Sequence, residues 1–183
     1  MSELALQLIA QEKKEKTGKL DLGNTGLTDI PKELFELTWL EELNFSSSLW
    51  NCNSMRYDLC SNNYDENYFD DISLAGIENL KRLERICLDS AGPDSWGLDD
   101  LEVLGTIKSL KYLGVANNRV DDIEFIRHLD QLEVLNLSRN DLDDIQMING
   151  MNSLRGLNLS QNPVYELTVL LSLSNLRYLD LTL

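Results

Sequence analysis

The sequence predicts an α/β solenoid, a right-handed coil of stacked turns whose short parallel strands line a concave face. Four segments carry the evidence: they begin at Leu110, Leu132, Leu154 and Leu176, so each start is 22 residues from the next. In every segment the first, fourth and sixth positions are apolar. This alternation is typical of a strand with one buried face. One turn cannot bury that face alone, so we expect a neighbouring turn on each side.

An asparagine occupies the ninth position of three of these segments, at Asn118, Asn140 and Asn162. The chain bends away from the strand there, and its backbone groups lose contact with water. A side-chain amide has both donors and an acceptor, so we expect each asparagine to satisfy backbone groups of its own and the adjacent turn. The alternative is an exposed turn residue, which the repeated register disfavours. The pattern L-x-x-L-x-L-x-x-N at this period is the leucine-rich-repeat signature.

The second half of each turn has apolar residues at a spacing of three, as at Val120, Ile123, Ile126 and Leu129. This spacing favours 3₁₀ segments on the convex side, because a 3₁₀-helix has about three residues per turn. The pattern resembles the 22-residue repeats of bacterial internalins and of the phosphatase-regulator family. That resemblance implies a parallel concave sheet and a mostly 3₁₀ or irregular convex side.

Three earlier segments, beginning at Thr17, Leu40 and Leu83, extend the repeat backwards with irregular spacings of 23, 43 and 27 residues. Their ninth positions are Thr25, Ser48 and Ala91. The spacing of 43 predicts an insertion near 49–71, and the spacing of 27 predicts a smaller excursion around 92–97. We therefore expect one domain of about seven repeats over 17–183, preceded by an N-terminal capping helix over 1–16.

The C-terminal turn has no capping segment after Leu183, although Leu176, Leu179 and Leu181 would leave one face of the core open. Terminal repeats normally carry a polar cap. The sequence therefore predicts a piece of a longer protein, with end-to-end association of two chains as the alternative.

The amino-acid composition restricts the classes of partner that the protein can bind. The net charge of −15 disfavours nucleic acid and anionic membranes, since both are bound by clustered Lys and Arg. Much of the acid recurs just before the convex segments, at Asp121–Asp122 and Asp143–Asp144, with Asp29 and Glu166 in phase. We interpret these carboxylates as caps of backbone N–H groups. A site for a cation or a basic partner is the alternative.

Three cysteines without a signal peptide indicate reduced thiols and a cytoplasmic protein, although Cys52 and Cys60 could pair under oxidation. No stretch approaches the roughly 18 apolar residues of a membrane span. The sole histidine, His128, lies far from the cysteines, so we expect no metal and no cofactor.

The exposed strand positions are the first candidate for a binding site, because stacked repeats create an extended concave surface. They are mostly small and polar and form no nucleophile–base constellation. Gly114 and Gly156 leave room for a partner to approach. We expect a protein or peptide ligand to contact the concave residues Arg85, Tyr112, Val134, Asn136, Asn158 and Tyr178.

The insertion is the second candidate. Loops longer than about 12–15 residues are usually functional or disordered, and aromatic residues argue against plain disorder. Its predicted contact residues are Trp50, Tyr57, Tyr64 and Tyr68. The alternative is that Trp50 and Phe69 only fasten the loop to the solenoid.

The opening repeat over 17–31, together with the apolar and lysine-rich lead-in, is similar to that of bacterial repeat proteins in which the repeats precede a Roc–COR GTPase module, as in Roco proteins. No phosphate-binding GxxxxGK[ST] motif is present, so a GTPase would lie downstream. We expect a non-catalytic recognition module of a larger protein. The alternative is the substrate-recognition domain of an enzyme, a GTPase or ubiquitin-ligase effector, whose catalytic part lies elsewhere.

Overall fold

The structure, a computed structural model, describes residues 2–69, 73–90, 98 and 101–183. The predicted excursion around 92–97, the ninth-position Ala91, and Asp70 and Asp71 of the insertion lie outside these residues.

An α-helix, α1 (Glu3–Glu15), covers the N-terminal end of the core, as predicted. Ser2 caps its start, since the Ser2 hydroxyl accepts a hydrogen bond from the backbone N–H of Ala5. The helix buries Ala5 and Ile9 against the first turn.

Within the described ranges, the concave side is a parallel sheet of seven strands, each of three residues. The strands are β1 (Lys19–Asp21), β2 (Glu42–Asn44), β5 (Arg85–Cys87), β6 (Tyr112–Gly114), β7 (Val134–Asn136), β8 (Gly156–Asn158) and β9 (Tyr178–Asp180). Neighbouring strands pair in register, so that Tyr112, Val134, Gly156 and Tyr178 form one row across the sheet. This is the predicted leucine-rich-repeat solenoid.

The convex side consists of short 3₁₀ segments, as the three-residue spacing predicts. They are Lys32–Glu36, Ile77–Asn79, Glu102–Thr106, Glu124–His128, Gln146–Ile148 and Thr168–Ser172. Carboxylates of Asp122, Asp144 and Glu166 each accept the backbone N–H two residues later, at 2.8–2.9 Å. These contacts support the interpretation of the recurring acids as caps.

The asparagine ladder is confirmed. Asn140 donates to the carbonyls of Val115 and Leu137 and accepts the N–H groups of Asn118 and Val120, at 2.9–3.0 Å. One amide therefore fastens two turns to each other.

In the second turn, the predicted ladder residue is wrong. Ser48 lies in a strand of the insertion, and Asn67 makes the ladder contacts instead. The Asn67 amide donates to the carbonyls of Leu22 and Phe45 at 2.7 Å and accepts the N–H groups of Thr25 and Leu27. The chain thus leaves the second turn after its strand and returns at Asn67.

Phe69 follows this return and packs edge-on against Phe45, with ring centroids 5.9 Å apart. Because both rings are buried in the core, Phe69 fastens the end of the insertion to the solenoid. For Phe69 the structure therefore supports the alternative that this residue fastens the loop to the solenoid.

Candidate functional site

The fifth position of the turn has a structural role that the sequence analysis missed. Asn44, Asn136 and Asn158 each use the side-chain oxygen to accept the backbone N–H two residues later, at 2.9–3.3 Å. Asp21 and Asp180 do the same in the first and last turns. The expected exposure of Asn136 and Asn158 on the concave face is wrong, since both side chains are buried. The signal was the recurrence of Asn or Asp in this column.

The turn that contains Gly114 lacks such a side chain, and a carboxylate of the preceding turn replaces it. Asp89 accepts the N–H of Ala116 at 2.7 Å through Oδ1 and the amide of Asn136 at 2.8 Å through Oδ2. A Cβ atom at Gly114 would lie 2.7 Å from that Oδ1, so any larger residue there would displace the Asp89 carboxylate. Burial raises the pKa of Asp89 to about 6, although the hydrogen bonds from Ala116 and Asn136 act in the opposite direction.

The insertion folds as a β-hairpin of β3 (Ser48–Asn51) and β4 (Arg56–Leu59), which lies across the concave face. The Tyr112 hydroxyl donates to the carbonyl of Trp50 at 3.1 Å. The Tyr57 hydroxyl lies 3.2 Å from that of Ser138.

This hairpin also fills the space at Gly156, because a Cβ atom there would lie 2.6 Å from the Cβ of Cys52. The room that the sequence offered to an external partner at Gly156 is therefore occupied from within the chain.

Two predicted contact residues are buried by this arrangement. Trp50 of the hairpin is 2% exposed and Tyr112 of the sheet is 3% exposed, because the hairpin lies against the sheet at this point. The expectation that Tyr112 is an exposed aromatic is wrong. The sequence analysis placed the two residues on separate candidate surfaces, whereas the hairpin joins these surfaces.

The base of the insertion is fastened to the first turn. The Asp21 carboxylate accepts the N–H of Ser61 at 2.7 Å, and the Asn62 amide donates to the carbonyls of Asp21 and Gly23. Tyr64 and Tyr68 lie beside this first turn, next to Gly26 and Leu27, with exposed side chains. They are not in contact with the groove described next.

A groove of about 540 Å³ runs between the hairpin and the N-terminal ends of the later strands. Five of the predicted site residues line it: Trp50, Arg85, Tyr112, Val134 and Tyr178. Val134 and Tyr178 are half-buried on its floor. The structure thus brings five of the ten predicted contact residues, from both predicted surfaces, into one site.

Arg155 and Arg177 are groove residues that the sequence analysis missed, whereas Arg85 was predicted. Arg155 and Arg177 occupy the second position of the last two turns and line the groove with Arg85. Arg85 lies over the ring of Tyr112, 4.2 Å from its centroid, and Arg155 lies 3.3 Å from the Glu133 carboxylate. A survey of basic residues by column would have identified them.

A second cavity of about 510 Å³ lies between α1 and the base of the hairpin. Leu8, Leu49 and Leu59 provide apolar parts of its wall, and Glu12 lies at its edge. The Glu12 carboxylate accepts hydrogen bonds from Thr17, Gly18 and Trp39, so it is engaged in holding α1 on the solenoid.

The three cysteines are free thiols. Hairpin pairing sets Cys60 opposite Ser47 and leaves Cys52 at the far end, about five residues or roughly 16 Å along the strand. That separation exceeds the reach of a disulfide, about 7 Å between Cα atoms. Burial raises the pKa of Cys87 well above its usual value, so this thiol is a poor nucleophile.

Among the described residues, no group of His, Cys, Asp and Glu side chains is arranged to hold a metal ion. No helix in the described part of the chain is long and apolar enough to cross a membrane.

Strand register, asparagine ladder and convex 3₁₀ segments define a leucine-rich-repeat solenoid, and residues 107–164 match the leucine-rich repeat family. An internalin of Listeria monocytogenes is 26% identical over 84% of this chain, with a TM-score of 0.63. A leucine-rich-repeat protein of Leptospira interrogans is 19% identical over 94% of this chain, with a TM-score of 0.65. Internalin C2 of Listeria monocytogenes is 19% identical over 99% of it, with a TM-score of 0.54.

This chain spans 38% of the first of these structures, 45% of the second and 93% of the third. A comparison with curated proteins finds no significant match. The bacterial leucine-rich-repeat resemblance is confirmed, whereas the link to Roco proteins stays a prediction.

Proposed function

We propose that the chain is a non-catalytic recognition module that binds an extended peptide segment of a partner protein in the groove beneath the hairpin. The observation that carries this proposal is the convergence of Val134 and Tyr178 from the sheet and Leu49 from the hairpin, all three half-buried, on one groove. Aromatic and apolar side chains on a rigid scaffold are the residue types that dominate interface energy. Leucine-rich-repeat solenoids serve generally as protein-binding surfaces.

The hairpin supports this proposal by making the site concave. A bare sheet of the solenoid is an open surface, whereas the hairpin adds a wall that is fixed by the Tyr112–Trp50 hydrogen bond and by packing on Gly156. A wall that is already in place lowers the entropy lost on binding.

A peptide display selection on the wild-type chain tests the proposal, with Tyr178→Ala as the groove variant. Tyr178 is half-buried and lines the groove, so its removal is expected to weaken the selected peptides by about 1–2 kcal/mol. Tyr165→Ala is the matched control, because Tyr165 is 81% exposed and lies outside the groove. Tyr112→Ala is less suitable, since it would open a cavity under the hairpin.

Selected peptides that bind Tyr178→Ala and wild type equally would refute a groove site. The contribution of Tyr57, Tyr64 and Tyr68 is a separate prediction, checked by alanine variants against the same peptides.

The larger context also stays a proposal. The module would act as the recognition or regulatory part of a larger cytoplasmic protein, or as the substrate-recognition domain of a GTPase or ubiquitin-ligase effector. The buried, hydrogen-bonded state of Cys87 and the convex position of His128 favour a module without its own nucleophile. Measured hydrolytic or acyl-transfer activity of this chain would contradict that reading.

Association through the C-terminal turn is a further prediction. Leu179 and Leu181 are 38% and 37% exposed, whereas the corresponding Leu157 and Leu159 are buried. A further turn of a longer protein or a second copy of this chain would cover them. Sedimentation equilibrium of the wild type and of Leu179→Glu distinguishes a dimer from a monomer.

A further inference from the structure

We propose that the groove selects an acidic peptide, specifically an extended segment with a carboxylate near each end and an apolar middle. This inference rests on the proposed function, since it names the chemistry of the ligand for the same groove.

The arrangement of charge in the groove is unusual for this chain. The protein has 16 Lys and Arg against 31 Asp and Glu, yet three arginines line this one groove: Arg85, Arg155 and Arg177. Within the described part of the chain, Arg85 and Arg177 form no ion pair, whereas six other Lys or Arg side chains do. Two arginines without an ion-pair partner among the described residues therefore line the groove where a ligand would lie.

The acidic residues of the groove are already engaged. Glu42 pairs with Lys19 at 2.7 Å, and Glu133 pairs with Arg155 at 3.3 Å. Asp58 accepts a hydrogen bond from the Asn51 amide at 2.8 Å. The groove therefore offers guanidinium donors that its own carboxylates do not satisfy.

Like charges stand side by side at one end of the groove. In the second-position column, Lys111 pairs with Glu84 and Arg155 with Glu133, each across to the preceding turn. The next neighbours in this column are Arg155 and Arg177, two cations that directly precede the adjacent strands β8 and β9. A carboxylate of a ligand would relieve this repulsion and accept a bidentate hydrogen bond.

The register sets the length of the ligand. Arg85 is on β5 and Arg177 adjoins β9, so four strand spacings of about 4.8 Å separate the two ends by roughly 19 Å. An extended peptide rises about 3.3 Å per residue, so about six residues span that distance. Between the two ends, the half-buried side chain of Val134 provides an apolar part of the floor.

A matched pair of fluorescein-labelled octapeptides tests this inference by fluorescence polarisation. The first has the sequence Gly-Glu-Tyr-Val-Tyr-Glu-Glu-Gly, and the second has Gln at each Glu position. We expect the wild type to bind the first at least ~10-fold more tightly, because each charge pair at an interface contributes on the order of a tenfold change or more. Raising NaCl from 50 to 500 mM should remove most of the difference, since salt screens such pairs.

Variants assign the effect to the groove. Arg85→Gln and Arg177→Gln should each weaken the Glu peptide about 10-fold and leave the Gln peptide unchanged. Arg139→Gln is the matched control, because Arg139, like Arg177, is exposed and forms no ion pair with the described residues but lies outside the groove. Its affinity for both peptides should equal that of the wild type.

Equal affinity for the two peptides, or equal effects of Arg139→Gln and Arg177→Gln, would overturn the acidic selectivity. If Tyr178→Ala still weakened both peptides, the groove would remain a peptide site without this selectivity. Binding of neither peptide also overturns the inference, whereas the display selection decides the proposed function independently.

Discussion

The regular turns after residue 110 and the interrupted second turn satisfy the same ladder by different routes. In the regular turn Leu137, which directly follows the strand, and its ladder asparagine, Asn140, are three positions apart. In the second turn Phe45 and Asn67 are 22 positions apart, yet their hydrogen bond has nearly the same length. The ladder is thus a requirement of geometry, and the chain can meet it after a long excursion. The excursion then supplies a wall for the concave face, which the regular turns do not have.

The largest expected effect tests the equivalence of the two ladder asparagines. Asn67→Ala leaves the Phe45 carbonyl and the N–H groups of Thr25 and Leu27 without a partner, whereas the Leu22 carbonyl keeps the hydroxyl of Thr25. The substitution should therefore lower the free energy of unfolding by about 3 kcal/mol or more. Asn140→Ala should cost a similar amount, as measured by urea denaturation.

Asn53 at the tip of the hairpin is the control, because it is exposed, and Asn53→Ala should change stability by less than about 0.5 kcal/mol. A small effect of Asn67→Ala beside a large effect of Asn140→Ala would show that the second turn does not depend on its ladder.

The second prediction concerns pH, because the pKa values of two carboxylates are shifted in opposite directions: that of Asp89, which contacts the regular turns, is raised, and that of Glu12 in α1 is lowered. Asp89 has a pKa raised to about 6, so the folded state binds more protons than the unfolded state between about pH 4 and 6. Its contribution to stability should therefore fall as the pH rises through this range. The difference in unfolding free energy between wild type and Asp89→Asn should decrease by roughly 2–3 kcal/mol from pH 4 to pH 7.

Glu12 is the counterpart in the N-terminal region. Burial acts to raise its pKa, but the hydrogen bonds from Thr17, Gly18 and Trp39 outweigh burial and lower the pKa. The stability that it contributes is present above the usual carboxyl pKa and is lost in acid, so the difference between wild type and Glu12→Gln should increase with pH. Parallel trends for the two variants would contradict the assignment.

The third prediction tests whether the hairpin is fixed on the regular turns. Gly156→Ala would place a methyl group 2.6 Å from the Cβ of Cys52, and the resulting displacement should cost about 2 kcal/mol. In a Cys52→Gly background the same substitution should cost almost nothing, because the clashing atom is gone. An additive double-mutant cycle would mean that the hairpin does not rest on Gly156 in solution.

The smallest effect tests the outer strand of the hairpin. Tyr57→Phe removes a hydroxyl contact with Ser138 that is partly open to solvent, so the loss of stability should be about 0.5 kcal/mol. Tyr64→Phe is the control and should have no measurable effect, since the Tyr64 side chain is exposed. A larger loss for Tyr57→Phe would mean that this hydrogen bond is a main attachment of the hairpin.

Much of the fold could be predicted, because the regular turns repeat a local pattern. Leucine columns, the ladder residues Asn118, Asn140 and Asn162 and the 3₁₀ segments each follow from spacings within one turn. The site was harder to predict. Tyr112 and Trp50 have the residue types of a binding surface, but each is the other's contact. The two residues are 62 positions apart in the sequence, and no local spacing indicates that they are in contact.

By itself, the sequence determined the repeat length, the columns of the sheet and the N-terminal helix, since periodic burial requires only neighbouring residues. Only the tertiary structure decided that Asn67 completes the second turn, that Asp89 replaces the side chain missing at Gly114, and that the hairpin rests on Gly156. These contacts join residues that are 22 or more positions apart. These contacts form because buried backbone groups need hydrogen-bond partners and because the interior is close-packed. Any residue of suitable chemistry can provide such a contact once the fold brings it near.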